Sequence, residues 1–104
     1  MNINFSVLLT LLLGCQVAMA QPAKASPADF QTTLWAVSCM ACHGTDGKAE
    51  GVGLTLHGKT SQELTDTLLA YKSGKRTGTI MGQHAKGYSD DELKRIALYF
   101  SQLK

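Results

Sequence analysis

The chain has 104 residues, with ten Lys and Arg against eight Asp and Glu, and three cysteines. A formal net charge of +2 is too weak for a nucleic-acid footprint. The length allows one small domain, whose core is marginal without a staple, a metal or a cofactor.

Residues 1–20 read as a signal peptide. Ile3 to Leu13 is mostly apolar, and Ala18-Met19-Ala20 is a small-x-small cleavage site. The run is too short and too poorly flanked for a transmembrane helix, so no membrane span is expected. The start, MNINFS, carries no Lys or Arg. A competing reading takes Leu12-Leu13-Gly14-Cys15 as a lipoprotein signal, with Cys15 as the lipidated first residue. The reading adopted is cleavage after Ala20, which exports the chain to the periplasm and leaves only Cys39 and Cys42. Disulfides are permitted there, but two cysteines so close together close no useful structural loop. Something else must complete the core.

Residues 21–27 form a short polar arm, and residues 28–104 the folded domain. The first helix has Ser26 as N-cap, Pro27 at the first helical position and Asp29 in the first turn. Phe30, Leu34 and Val37 make an apolar stripe flanked by Trp35, and the helix is expected to run to about Cys39. Residues 44–59 hold five glycines and no periodicity, so they read as a long irregular loop. Loops of that length in compact domains usually wrap something. Thr60 and Glu63 form a capping box for the second helix. Its buried face is Leu64, Leu68 and Tyr71, and Gly74 stops it. Residues 75–88 read as a second loop. Ser89 and Glu92 cap the last helix, with Asp90 and Asp91 suiting its positive N-terminus. Leu93, Ile96, Ala97 and Phe100 line one face of it, and Leu103 continues that face. Three helices joined by two long loops leave a gap in the middle.

Cys39-Met40-Ala41-Cys42-His43 matches C-x-x-C-H, the attachment signature of c-type haem. Two thiols three positions apart on a helical turn each add to one vinyl group of the same porphyrin. His43 then lies beneath the iron and ligates it through a ring nitrogen. A redox dithiol would need a strand-and-helix pattern absent here, and no second ligand pair stands at zinc-finger spacing. Haem c, one and covalently attached, is therefore the expected cofactor.

The other face of the ring must be covered from later in the chain. The candidates are His57, Met81 and His84. Met81 lies between apolar Ile80 and flexible Gly82, and its neutral, soft thioether favours reduced iron. It is the expected sixth ligand, against a gap-filling role in the core. A ligating histidine gives its second ring N–H to a carbonyl, here expected from Val52 to Leu54. Lys59, Lys72, Lys75 and Arg76 are candidates to neutralise the haem propionates.

With these motifs in this order, residues 28–103 resemble a class I cytochrome c. A narrower likeness lies in Cys-His-Gly-Thr-Asp-Gly, Tyr71-Lys72-Ser73-Gly74, Thr79-Ile80-Met81-Gly82 and Ala85-Lys86-Gly87-Tyr88-Ser89. Those segments are similar to the cytochrome subunit of flavocytochrome c sulfide dehydrogenase. The resemblance implies an all-α fold, three main helices and long loops wrapped around a covalent haem. It implies crossed first and last helices, with Phe30 and Leu34 meeting Ile96, Tyr99 and Phe100. It implies Cys39 and Cys42 as attachment points and His43 and Met81 as axial ligands. The implied partners are an FAD-containing sulfide-oxidising flavoprotein, which carries the catalysis, and a soluble electron acceptor. Two departures stand out. There is one C-x-x-C-H, where some members carry two haem domains, and Gly53-Leu54 stand where proline is frequent. Diffusing shuttles of the c4 and c5 type share much of the pattern and give the alternative reading. A bound subunit should show a contiguous apolar docking patch, a shuttle a small patch rimmed by lysines.

Overall fold

The computed structural model describes residues 27–51 and 54–103. The signal segment, Cys15, the Ser26 cap, and Val52 and Gly53 lie outside the described residues. Four α-helices follow in order, with no strand among the described residues: α1 (Pro27–His43), α2 (Ser61–Ser73), α3 (Met81–Lys86) and α4 (Asp90–Ser101). A single 3-10 turn, Thr45–Gly47, follows α1. None of the described helices is long and apolar enough to cross a membrane.

The expected caps organise α2 and α4. Thr60 Oγ1 accepts the Glu63 N–H at 3.2 Å, and Glu63 Oε2 accepts the Thr60 N–H at 2.8 Å. Ser89 and Glu92 repeat the exchange at 3.2 and 2.7 Å. Each box satisfies two backbone donors that a helix start leaves without intrahelical partners. Gly74 ends α2 at φ 79°, where a β-carbon would be strained.

These boxes make a pH prediction. Hydrogen bonds from the Thr60 backbone N–H and then its hydroxyl hold the Glu63 carboxyl below its ordinary value. A carboxylate depressed in the folded state stabilises the fold above its unfolded pKa, about 4.3, and loses that contribution as pH falls through its lower folded value. Glu63→Gln keeps the box but removes the charge. Its melting temperature is expected to lie below that of the parent at pH 7, with the gap closing as the pH is taken below 4 (about the unfolded value). Thermal melts at the two pH values check this.

Helix α1 runs to His43, four residues beyond the expected end near Cys39. Met40 and Ala41 have high helix propensity, and the first left-handed residue is Gly44, at φ 77°. A β-carbon there would stand 2.8 Å from the Ala49 nitrogen, so the stop requires glycine.

The face that α1 buries also differs from expectation. Phe30, Leu34 and Val37 are 61, 47 and 52% exposed. Thr32, Ala36 and His43 are buried instead, with Trp35, Cys39 and Met40 half-buried. Thr32, Ala36, Cys39 and His43 follow one another by four, three and four positions and share one helix face. Phe30, Leu34, Val37 and Ala41 have the same spacing on the opposite face. The helix cannot bury both, and the inward face is the one that carries the motif. The expected crossing of α1 and α4 is present, but Phe30 and Leu34 do not form it. Ala36 joins Leu64, Ile96, Ala97 and Phe100 in the core. Arg95 of α4 donates to Thr32 Oγ1, and its guanidinium lies 5.0 Å over the Trp35 ring.

The loop expected over 75–88 contains α3. Its N-terminus has no side-chain cap, and Gly82 and Gly87 weaken any local helix signal. Packing against α2 holds it, with Ala85 buried. Helix α2 also packs on α4, so the order of contact is α1, α4, α2, α3.

Candidate haem site

The last turns of α1 carry the motif. Cys39 is half-buried, and its Sγ donates to the Trp35 carbonyl at 3.3 Å. Burial pushes its thiol pKa up. Cys42 is exposed, and both are unbridged thiols. Only the Cys42 side of the pair therefore opens directly to solvent.

His43 is buried at the end of the helix, 9% exposed. Its Nδ1 lies 2.5 Å from the Leu54 carbonyl oxygen. A carbonyl only accepts, so Nδ1 is the donor in this contact and Nε2 is the ring nitrogen left for a ligand role. Leu54 falls within the Val52 to Leu54 window expected for this contact.

The turn after His43 brings Leu54 into place. The His43 carbonyl accepts the Ala49 N–H at 2.9 Å. The Gly47 carbonyl accepts three donors: Leu56 N–H at 2.8 Å, His57 N–H at 3.1 Å and Thr55 Oγ1 at 3.1 Å. A β-carbon on Gly47 would stand 2.9 Å from Leu56 Cβ and 3.2 Å from Phe100 Cδ1. Glycine here lets the wrapping loop close onto α4. Nothing local in the sequence marks Gly47 as the residue that gathers these bonds.

Met81 is the first residue of α3 and is half-buried, while His84 is exposed on the same helix. His57 is half-buried, with its Nδ1 buried and without a hydrogen-bond partner. Its backbone belongs to the turn that Gly47 gathers after His43. Lys72, one of the propionate candidates, is engaged within the fold. Its ammonium donates to the Tyr88 carbonyl at 2.8 Å and to Asp90 at 2.7 Å, tying α2 to the start of α4. That bond holds the Asp90 carboxyl below its ordinary range. Arg76 lies 5.1 Å over the Tyr71 ring, while Lys59 and Lys75 are exposed.

Among the described residues, no group of three or more His, Cys, Asp and Glu side chains is placed to hold a bare metal ion. The donor set instead fits haem c. It has two thiols three positions apart on one helix, one inward and one at the surface, and an imidazole whose Nδ1 is engaged, leaving Nε2 as the nitrogen to ligate.

Comparison with known proteins agrees. The family profile for cytochrome c matches residues 31–104. The cytochrome subunit of sulfide dehydrogenase from Chlorobaculum tepidum is 39% identical over 84 residues, covering 81% of this chain and 76% of that protein. Cytochrome c-553 from Nitratidesulfovibrio vulgaris is 36% identical over 103 residues, covering 94% and 92%. Cytochrome c-554(547) from Halothiobacillus neapolitanus is 34% identical over 83 residues, covering 69% and 91%. The chain belongs to the cytochrome c family: it is a monohaem electron carrier with haem c as its cofactor.

Proposed function

We propose that this chain is the periplasmic haem subunit of a sulfide-oxidising complex. It takes single electrons from an FAD-containing flavoprotein and passes them to a soluble acceptor. Catalysis on sulfide belongs to the flavoprotein. Cys39 and Cys42 would hold the haem by thioether bonds, and His43 and Met81 would be its axial ligands. When bound, the haem supplies one-electron iron chemistry.

The chain's own residues set the conditions for that chemistry. The Leu54 carbonyl fixes the orientation of the His43 ring. The backbone of His57 is tied to Gly47, in the turn that follows His43. Met81 and His84 both come from α3, but Met81 is the one withdrawn from solvent. A neutral thioether opposite a neutral imidazole is the pairing of electron-carrying haems.

The observation that carries the choice of partner is the outer face of α1. Phe30, Leu34 and Val37 are exposed there, with Ala41 in line. No Asp, Glu, Lys or Arg occurs from Phe30 to Thr45. The stripe is about 16 Å long at 1.5 Å per residue and ends beside exposed Cys42. A contiguous apolar, uncharged face next to the attachment cysteines suits a lasting subunit contact. The relative from Chlorobaculum tepidum, itself a cytochrome subunit of sulfide dehydrogenase, supports the same reading. The near full-length match to a cytochrome c-553 supports the alternative, a diffusing shuttle between respiratory complexes.

Affinity capture of the haem-loaded protein from native periplasmic extract tests the choice. Flavin should elute in fixed ratio to haem, and sulfide should reduce the haem in the eluate. Haem eluting alone, with no acceleration by sulfide, would support the shuttle. Leu34→Lys places a charge in the stripe at a position 47% exposed, so the fold should tolerate it. It is expected to weaken flavoprotein binding about tenfold or more, as at an interface hot spot. The binding isotherm of the purified variant measures this.

A further inference from the structure

Tyr71 touches the chain on both sides of Met81. Its ring lies where a side chain on Gly78 would go: a β-carbon there would stand 2.8 Å from Tyr71 Cε1 and 3.6 Å from Cδ1 and Cζ. Its carbonyl oxygen accepts the Gly74 N–H at 3.2 Å and lies 3.6 Å from the place of a β-carbon on Gly82. Met81 is between these two contacts. The ring is itself held, because the Arg76 guanidinium lies 5.1 Å over it and the Arg76 N–H is bonded to the Ala70 carbonyl at 3.0 Å.

Gly78 differs from the glycines whose backbone conformation calls for glycine. Gly44, Gly47, Gly51, Gly58 and Gly74 have positive φ, and Gly78 does not. Its φ does not by itself call for glycine. What excludes a side chain is the Tyr71 ring alone. Because Arg76 restrains the ring, a methyl group at 78 would push the chain segment away, and Met81 is three residues further on.

We propose that Gly78 is a positioning residue for Met81, its missing side chain letting the Arg76-backed Tyr71 ring set the approach of the Met81 segment to the haem. This rests on the reading of Met81 as an axial ligand. A displaced segment weakens the reach of the thioether, so the sixth position yields more readily to an added ligand.

The test uses the full-length, haem-loaded protein. Imidazole is titrated into the ferric form, and the far-red thioether-to-iron band is followed in parallel. Gly78→Ala is expected to bind imidazole about tenfold more tightly, matching the usual cost of overpacking, with a weakened band. Gly78→Ala with Tyr71→Leu should return to within about threefold of Tyr71→Leu alone, since the ring is gone, the tolerance being the scatter of paired mutants. Gly78→Ala with Tyr71→Phe should keep the defect, since the ring remains. Parental imidazole affinity in Gly78→Ala, an equal defect in the Leu background, or rescue by Phe would each overturn the proposal. If Gly78→Ala fails to accumulate, recovery by Tyr71→Leu but not by Tyr71→Phe supports it, and any other pattern overturns it. Met81→Ala separates the two readings. If it changes neither the band nor the imidazole affinity, the ligand assignment fails. If it changes both while Gly78→Ala changes neither, only the positioning role fails.

Discussion

Phe100→Ala is expected to destabilise the protein by about 3–5 kcal/mol, the usual cost of emptying a buried aromatic site. Phe100 is 1% exposed and joins Ala36, Leu64, Ile96 and Ala97 in the core. The Tyr99 ring meets it edge-on at 5.7 Å. It also closes the space beside Gly47, so its loss loosens the turn that brings Leu54 to His43. Domains of this size have about 5–15 kcal/mol in all, so the loss would consume a large share. Leu98 is the comparison: it is 48% exposed on the same helix, and its change to alanine should cost about 0.5 kcal/mol or less. Urea unfolding of the haem-loaded variants at pH 7 measures both. Equal, small losses would remove Phe100 from the centre of the fold.

Met81→Ala is expected to abolish the far-red thioether-to-iron band and to lower the reduction potential by about 0.2 V. Axial ligands set haem potentials over a range of about 0.8 V, and losing the neutral sulfur removes the ligand that favours reduced iron. His84→Ala should leave band and potential unchanged, because that side chain is exposed. The pair of variants, titrated potentiometrically with spectra at each step, gives a direct contrast. A damaging His84→Ala with a neutral Met81→Ala would reverse the ligand assignment.

The parts of this fold that depend on short-range chemistry were legible in the sequence. Thr60 with Glu63 and Ser89 with Glu92 marked the two capped helices, and both boxes are formed in full. The apolar face of α4 was read position by position, because Leu93, Ile96, Ala97 and Phe100 share the helical spacing that turns them to the core. The three-residue window for the His43 contact contained the carbonyl that makes it. What escaped depends on tertiary context. On α1 two faces had helical spacing, and hydrophobicity pointed to Phe30, Leu34 and Val37. The constraint that decides the matter is the inward set of Thr32, Ala36, Cys39 and His43, which could have been followed backward from the motif. Helix α3 contains Gly82, stops at Gly87 and has no side-chain N-cap, so its packing on α2 is what makes it a helix. The clasp of Lys72 on Asp90 joins residues 18 apart in sequence and has no local signature.

At the site, the attachment motif was fully legible because its spacing is itself the chemistry. The support for it was not. Gly47 and Gly78 are two glycines among ten, and what distinguishes them is which side chain would otherwise be struck: Leu56 and Phe100 for one, Tyr71 for the other.

The proton NMR spectrum of the reduced, haem-loaded protein tests the central claim most directly. A methionine bound to diamagnetic iron holds its methyl group over the porphyrin, where the ring current shifts it far upfield. One three-proton singlet is expected, isolated upfield of every other signal and missing from Met81→Ala. Imidazole ring protons of His84 or His57 in that region, or no upfield methyl at all, would contradict it.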